Sequence, residues 1–165
     1  MALDKSDDVI REMAKELSTH PKLARWLMTG DIIRKFTAAV DNIANGMSPR
    51  PQIDFFTPSE GFDAIKRDGD YILNPRSFRR YNSVADAFLS LDTESCVKLY
   101  HQAKPLIQKA YRELGYPDQD FDQTLLRAMV ELLSVPVVEG DIILERGVVS
   151  FIYADPRLEN LSQAQ

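Results

Sequence analysis

DTESCVKLYHQAKPLIQKAYRELGYP, from Asp92 to Pro117, carries the longest helical pattern in the chain. At ~100° per residue, Cys96, Leu99, Tyr100, Ala103, Leu106, Ile107, Ala110, Tyr111 and Leu114 fall in one arc of a helix. Glu94, Lys98, His101, Gln102, Lys109, Arg112 and Glu113 fall in the other. Pro105 lies in the polar arc. A proline inside an isolated helix costs ~3 kcal/mol, because it removes one hydrogen bond and clashes with the preceding turn. The apolar register nevertheless continues on both sides of it. That predicts one long helix from an Asp92 cap, bent convex toward solvent, with the carbonyl of His101 left to water.

The same wheel separates the chemistry this stretch carries. Cys96 and His101 diverge by ~140°, too far apart for a thiolate and its base. Cys96 is expected inward as a small hydrophobe, and His101 outward in solvent.

Upstream, three more helices are legible. Val9, Ile10, Met13, Ala14 and Leu17 recur at helical spacing behind a Ser6 cap, and the run breaks at His20-Pro21. A short helix follows through Trp26. From Asp31 to Asn45, Ile32, Ile33, Phe36, Ala39, Val40, Ile43 and Ala44 share one side, and Gly46 is a natural stop. Between Met47 and Asn74 the period disappears and prolines enter. There Phe62–Lys66 and Asp70–Leu73 flank Asp68-Gly69, a dipeptide that suits a tight hairpin turn.

Asn74-Pro75 pairs a cap with a first-turn proline and opens a short helix through Arg80. Tyr81, Val84, Ala85, Phe88 and Leu91 carry helical spacing onward after a break at Asn82. Beyond the long helix, Asp120 with Gln123 resembles a capping box, and it opens a helix to Ser134. The apolar arc of that helix is so wide that a central position is expected. Asp141–Tyr153, rich in β-branched and aromatic residues around Arg146-Gly147, reads as a second hairpin, and Asp155-Pro156 opens a last short helix. The fold class is therefore mainly α, a helical bundle-like single domain over residues 1–165 with two small β-hairpins.

Composition bounds the function. The chain of 165 residues is 44% hydrophobic and 27% charged, as ordinary globular domains are. Its net charge of −5 repels nucleic acid and anionic lipid overall, so no nucleic-acid partner is expected. One cysteine excludes an internal disulfide and the multi-cysteine zinc modules. No run approaches the ~20 apolar residues of a membrane-spanning helix. MALDKSDD at the start lacks the regions of a signal peptide, so the chain reads as soluble. Ser162, placed to cap a further helix, implies a piece of a longer protein.

Asp118, Asp120 and Asp122 alternate as in a calcium loop. That loop wants glycine sixth and glutamate twelfth, where this chain has Gln123 and Met129. Helix capping explains the run, and neither metal nor cofactor is implied. Arg76, Arg79 and Arg80, near Lys66 and Arg67, form the one basic cluster, with Phe78 and Tyr81 between and beside the arginines. It reads either as a phosphate or carboxylate site or as a solvated face paired to acids. Phe55, Phe56, Phe62 and Tyr71 either line a partner groove or fold the long connection back onto the core. No phosphate-cradling glycine loop, nucleophile-elbow serine or dinucleotide fingerprint is present.

Four fragments taken in order, VDN (Val40–Asn42), NPRSFRRY (Asn74–Tyr81), ELGYP (Glu113–Pro117) and ADP (Ala154–Pro156), resemble a bacterial domain-of-unknown-function family, number three thousand and fourteen. The resemblance covers nearly the whole chain. It implies an N-terminal membrane anchor and a proline-rich linker ahead of this domain, and hence a periplasmic domain tethered to the inner membrane. It also implies a further helix after the Asp-Pro one. The family has no assigned activity, so no functional residue is carried over.

Three functional expectations follow. The first is a non-catalytic module that binds an envelope protein or component, with Arg76, Arg79, Arg80, Tyr81, Phe55, Phe56 and Tyr71 as candidate contacts and no catalytic residue. The second is an enzyme assembled from scattered polar residues such as Asp41, Arg79, Arg80, Tyr81 and His101, and the absence of catalytic motifs ranks it lower. The third is an anionic-ligand or nucleic-acid binder through the arginine cluster. The oligomeric state is left open.

Overall fold

The structure, a computed structural model, describes residues 2–165. Eight α-helices form among them: α1 (Asp7–Ala14), α2 (Pro21–Trp26), α3 (Ile32–Ala44), α4 (Pro75–Arg79), α5 (Asn82–Leu89), α6 (Thr93–Glu113), α7 (Phe121–Leu133) and α8 (Pro156–Glu159). Four strands join them: β1 (Ala64–Arg67), β2 (Asp70–Leu73), β3 (Ile143–Arg146) and β4 (Phe151–Tyr153).

Helix α6 runs through Pro105 without interruption, and the proline is exposed as its place in the polar arc requires. Asp92 caps it by accepting the Ser95 amide at 2.8 Å. Ala103, Ile107, Ala110 and Tyr111 are buried and His101 is exposed, whereas Cys96 is only half-buried. The inward position expected for Cys96 is reached in part, because it sits one turn from the solvated helix start.

Helices α3, α6 and α7 pack on one another, and α1 lies across α3 and α6. Their shared core includes Ile10, Ile33, Val40, Ile107, Tyr111 and Phe121. Full burial of a large apolar side chain contributes about 1.5–3 kcal/mol, so Phe121 and Tyr111, both essentially inaccessible, anchor this junction. Gly46 ends α3 at φ +67°, where the Met47 amide reaches the Asn42 carbonyl at 2.8 Å. That left-handed closure suits glycine.

One helix start differs from expectation, and another is closed by a distant residue. The Ser6 hydroxyl does not cap α1; it donates back to the Leu3 carbonyl at 2.7 Å, closing a 3-10 turn over Leu3–Lys5. Asp31 does not cap α3 through its own side chain, since its backbone is left-handed at φ +56°.

Helix α7 is not central. Phe121, Thr124 and Ala128 face the core, but Leu126, Met129, Val130 and Leu133 are exposed. The wide apolar arc is divided between a buried face and an open one, because α3 and α6 cover only one side of it.

Both hairpins form, and they join. Asp68 and Gly69 take the positive φ values (52° and 100°) of a tight turn between β1 and β2. β2 then pairs antiparallel with β3, Tyr71 opposite Leu144 and Ile72 opposite Ile143, to give one sheet in the order β1-β2-β3-β4. An isolated two-stranded hairpin is marginal in water, and joining the two buries Ile72 and Leu144.

Candidate functional site

The approach to the site is set by α4. Asn74 caps it at the Arg76 amide (3.1 Å), and Pro75 fills the first turn, where a missing N–H costs nothing. Ser77, buried, ties α4 to the chain entering β1. Its hydroxyl accepts the Asp63 amide at 2.7 Å and donates to the Asp63 carbonyl at 2.8 Å. The helix is thereby held against the sheet, and Arg80 and Tyr81 follow at its exit.

There the chain encloses a cleft of about 530 Å³ between the Ser48–Thr57 connection, the end of β2, the α4–α5 corner, Tyr153 of β4 and the 163–165 segment. Two arginines, Arg50 and Arg80, line it, and no aspartate or glutamate does. Phe56, Phe62 and Phe78 form apolar walls, while Ser48, Ser77, Tyr81 and Tyr153 bring hydroxyls. The Arg80 guanidinium sits 5.1 Å from the centre of the Tyr81 ring and donates from Nη1 to the Glu60 carbonyl at 2.7 Å. Its Nε–H is buried without a hydrogen-bond partner. An orphaned buried donor on a cation is costly unless an acceptor meets it.

Of the residues expected to bind, Arg80, Tyr81 and Phe56 line this cleft, and so does Phe62. Arg76 and Arg79 point away on the exposed side of α4. The alternative of a salt-bridged face is not what forms. Arg67 pairs with Asp141 at 2.7 Å, but Lys66, Arg76, Arg79 and Arg80 pair with no carboxylate among the described residues. Phe55 instead joins an aromatic cluster, 6.0 Å from Trp26 and 4.7 Å from Phe56, which also packs on Trp26 (4.5 Å) and Phe88 (5.5 Å). That cluster folds the long connection onto α2 and α5. Tyr71 stays on the sheet against Phe151 at 5.1 Å, with Lys66 and Arg146 over its ring.

Arg50, Ser77, Tyr153 and the 163–165 segment were not singled out in the sequence. Arg50 had one available signal, a lone cation fixed between Pro49 and Pro51. The others reach the cleft only through sheet pairing and the return of the chain end.

The scattered polar residues are not gathered in one place. Asp41 is buried on α3, where one carboxylate oxygen accepts the Tyr116 hydroxyl at 3.3 Å and the other has no partner. The Asp41 charge holds the Tyr116 hydroxyl above its ordinary acidity range, with burial adding to it. Asp122 is bound by Lys104 and by the Tyr100 hydroxyl (2.5 Å), and these two, Lys104 first, hold its carboxyl below the usual range. Burial, then the carboxylate of Asp92, pushes the Cys96 thiol up, away from the reactive thiolate. A second, smaller hollow of about 280 Å³ is lined by Arg34. Asp4 (2.7 Å), Asp31 (3.2 Å) and Glu113 (3.1 Å) already surround that guanidinium.

No three His, Cys, Asp or Glu side chains converge on a metal position among the described residues, and none of their helices is long and apolar enough to cross a membrane. No curated protein and no solved structure matches the chain. The family profile described as "Protein of unknown function (DUF3014)" matches residues 32–165, from the first residue of α3 onward, and the chain belongs to that family.

Proposed function

We propose that this domain is a non-catalytic binding module whose cleft holds a carboxylate or phosphate group attached to an apolar or planar body. The observation that carries the reading is the pairing of Arg50 and Arg80 in a cleft free of acidic side chains, within a chain of net charge −5. Cations gathered away from carboxylates in an acidic protein are arranged for an external anion. Arginine suits that task because its fork offers paired donors at fixed geometry. Phe56, Phe62 and Phe78 supply the apolar walls that a bare inorganic anion would leave unused.

The test is a titration of isotope-labelled protein with phenyl phosphate and, separately, inorganic phosphate. Amide shifts at Arg50, Ser77, Arg80 and Tyr81 are expected, tighter for the aromatic probe and weakening with salt. Arg80→Ala abolishes them. Shifts absent from the cleft, or unchanged in Arg80→Ala, overturn the reading.

The same reading assigns the domain to the periplasm, tethered by a segment outside this chain. Its support is the family resemblance, which implies an anchor and a linker ahead of this domain. Protease accessibility in spheroplasts of cells making the full-length protein tests it, and protection from added protease overturns it.

A further inference from the structure

The sheet carries the chemistry of the cleft beyond the cleft itself. Side chains alternate along a strand, and directly opposed residues share a face. The register therefore sets Lys66, Tyr71 and Leu73 of the first hairpin on one face with Leu144, Arg146 and Phe151 of the second. Leu73 lines the cleft, as does Tyr153, which stands opposite Leu144. Four residue steps along the strands from Leu73, at ~3.3 Å each, Arg146 lies roughly 13 Å away. The route between them is aromatic. Phe62 of the cleft wall lies 6.2 Å from Phe151, and Phe151 lies 5.1 Å from Tyr71.

The Lys66 Nζ and the Arg146 guanidinium both stand over the Tyr71 ring, at 5.9 and 5.5 Å. Both side chains are exposed, and neither pairs with a carboxylate among the described residues. The acids within the strands, Asp70 and Glu145, belong to the opposite face. An acid-free track thus begins at Arg50 and Arg80, crosses Phe62 and Phe151, and ends at a second pair of unpaired cations.

We infer, resting on the cleft reading above, that the ligand is an extended acidic peptide segment of a partner protein. One of its carboxylates enters the cleft, an aromatic side chain lies against Phe62 and Phe151, and a second carboxylate meets Lys66 and Arg146. An extended chain puts every second side chain on one side, and its first and fifth residues stand ~13 Å apart, the spacing of the track. Single-stranded nucleic acid also alternates anions with planar groups. It needs open ring faces for stacking, and the Tyr71 and Tyr81 rings already carry their own cations. A phosphate at every step also meets the repulsive field of a chain at −5, whereas a peptide bears charge only where the cations stand.

Calorimetric titration with the capped peptide acetyl-Glu-Thr-Phe-Thr-Glu-amide, with its forms carrying glutamine in place of either glutamate, and with phenyl phosphate tests this. The two-glutamate peptide is expected to bind about 5–10-fold more tightly than either single-glutamate form, a difference that shrinks with salt. Lys66→Gln combined with Arg146→Gln, both at exposed positions, removes that advantage and leaves phenyl phosphate binding and circular dichroism unchanged. Arg80→Ala weakens peptide and phenyl phosphate alike. Equal affinities for the three peptides, or a two-glutamate peptide indifferent to the Lys66 and Arg146 changes, overturn the inference, and the cleft reading stands if phenyl phosphate still binds. Phenyl phosphate that fails to bind the wild-type chain overturns both. A thymidine pentanucleotide that binds more tightly than the peptide assigns the track to single-stranded nucleic acid and overturns the peptide.

Discussion

Asp7 closes the N-terminus of α3 from 25 residues away: its Oδ1 accepts the Ile32 amide at 3.0 Å, and its Oδ2 accepts the preceding amide of Asp31 at 2.8 Å. The Asp31 side chain makes no cap, and Arg11 holds the Asp7 carboxylate from the other side at 3.6 Å. One carboxylate thus fixes the angle between α1 and α3.

Removing that cap exposes two orphan amides. Asp7→Ala is expected to cost about 1–2 kcal/mol, a fall in Tm of roughly 2–8 °C for a chain of this size. Asp7→Asn, which keeps one acceptor oxygen, costs less. Thermal unfolding followed by circular dichroism separates the three proteins. Equal Tm values for wild type and Asp7→Ala would deny the capping role.

Ser77 holds α4 to Asp63 by two short bonds from a buried hydroxyl. Ser77→Ala leaves the Asp63 amide without this partner, at about 1–3 kcal/mol. The loss is local to the sheet edge. Hydrogen exchange is expected to accelerate in β1 and β2 well before α3, α6 or α7. Uniform acceleration across the chain would contradict it.

Pro105 is exposed in the middle of α6, where no packing requires its ring. Pro105→Ala restores an N–H to the helix and is expected to stabilise the protein by about 1–3 kcal/mol, read from the urea midpoint. A lower midpoint would show that the ring itself supports the fold.

Lys104 and then Tyr100 hold the Asp122 carboxyl below its ordinary value, so the folded chain takes up that proton less readily than the unfolded one. The stabilisation is complete above the unfolded value of about 4 and is lost as pH falls through the depressed folded value. Asp122→Asn is expected to lower Tm at neutral pH and to flatten its decline below pH ~4. Asp155, depressed first by the Arg157 side chain and then by the Arg157 amide, and Asp92, depressed by the Ser95 hydroxyl and then the Ser95 amide, keep an acid-side decline in the variant. A variant curve parallel to the wild type through this range would exclude the contribution.

Much of the helical part was legible because its signals are local. The caps at Asp92, Asn74, Asp120 and Asp155 all form, and the apolar period of α6 passed through Pro105 intact. Asp68-Gly69 marked its turn through backbone angles that few other residues adopt. The cleft was legible only in part. Arg80 and Tyr81 stood out by composition, but nothing in the sequence distinguished Arg80 from Arg76 and Arg79. Which arginine faces the cleft depends on how Ser77 locks the helix against the sheet.

Periodicity, capping and turn chemistry act within a few residues, so local patterns in the chain are enough to mark its helices and strands and to set the class of the fold. Packing alone brings Asp7 to the start of α3, joins two hairpins into one sheet, and leaves half of α7's apolar arc uncovered. Each of these depends on which surfaces meet across long stretches of chain. An amide, a strand edge or an apolar face states what it needs, and the packing decides what it receives.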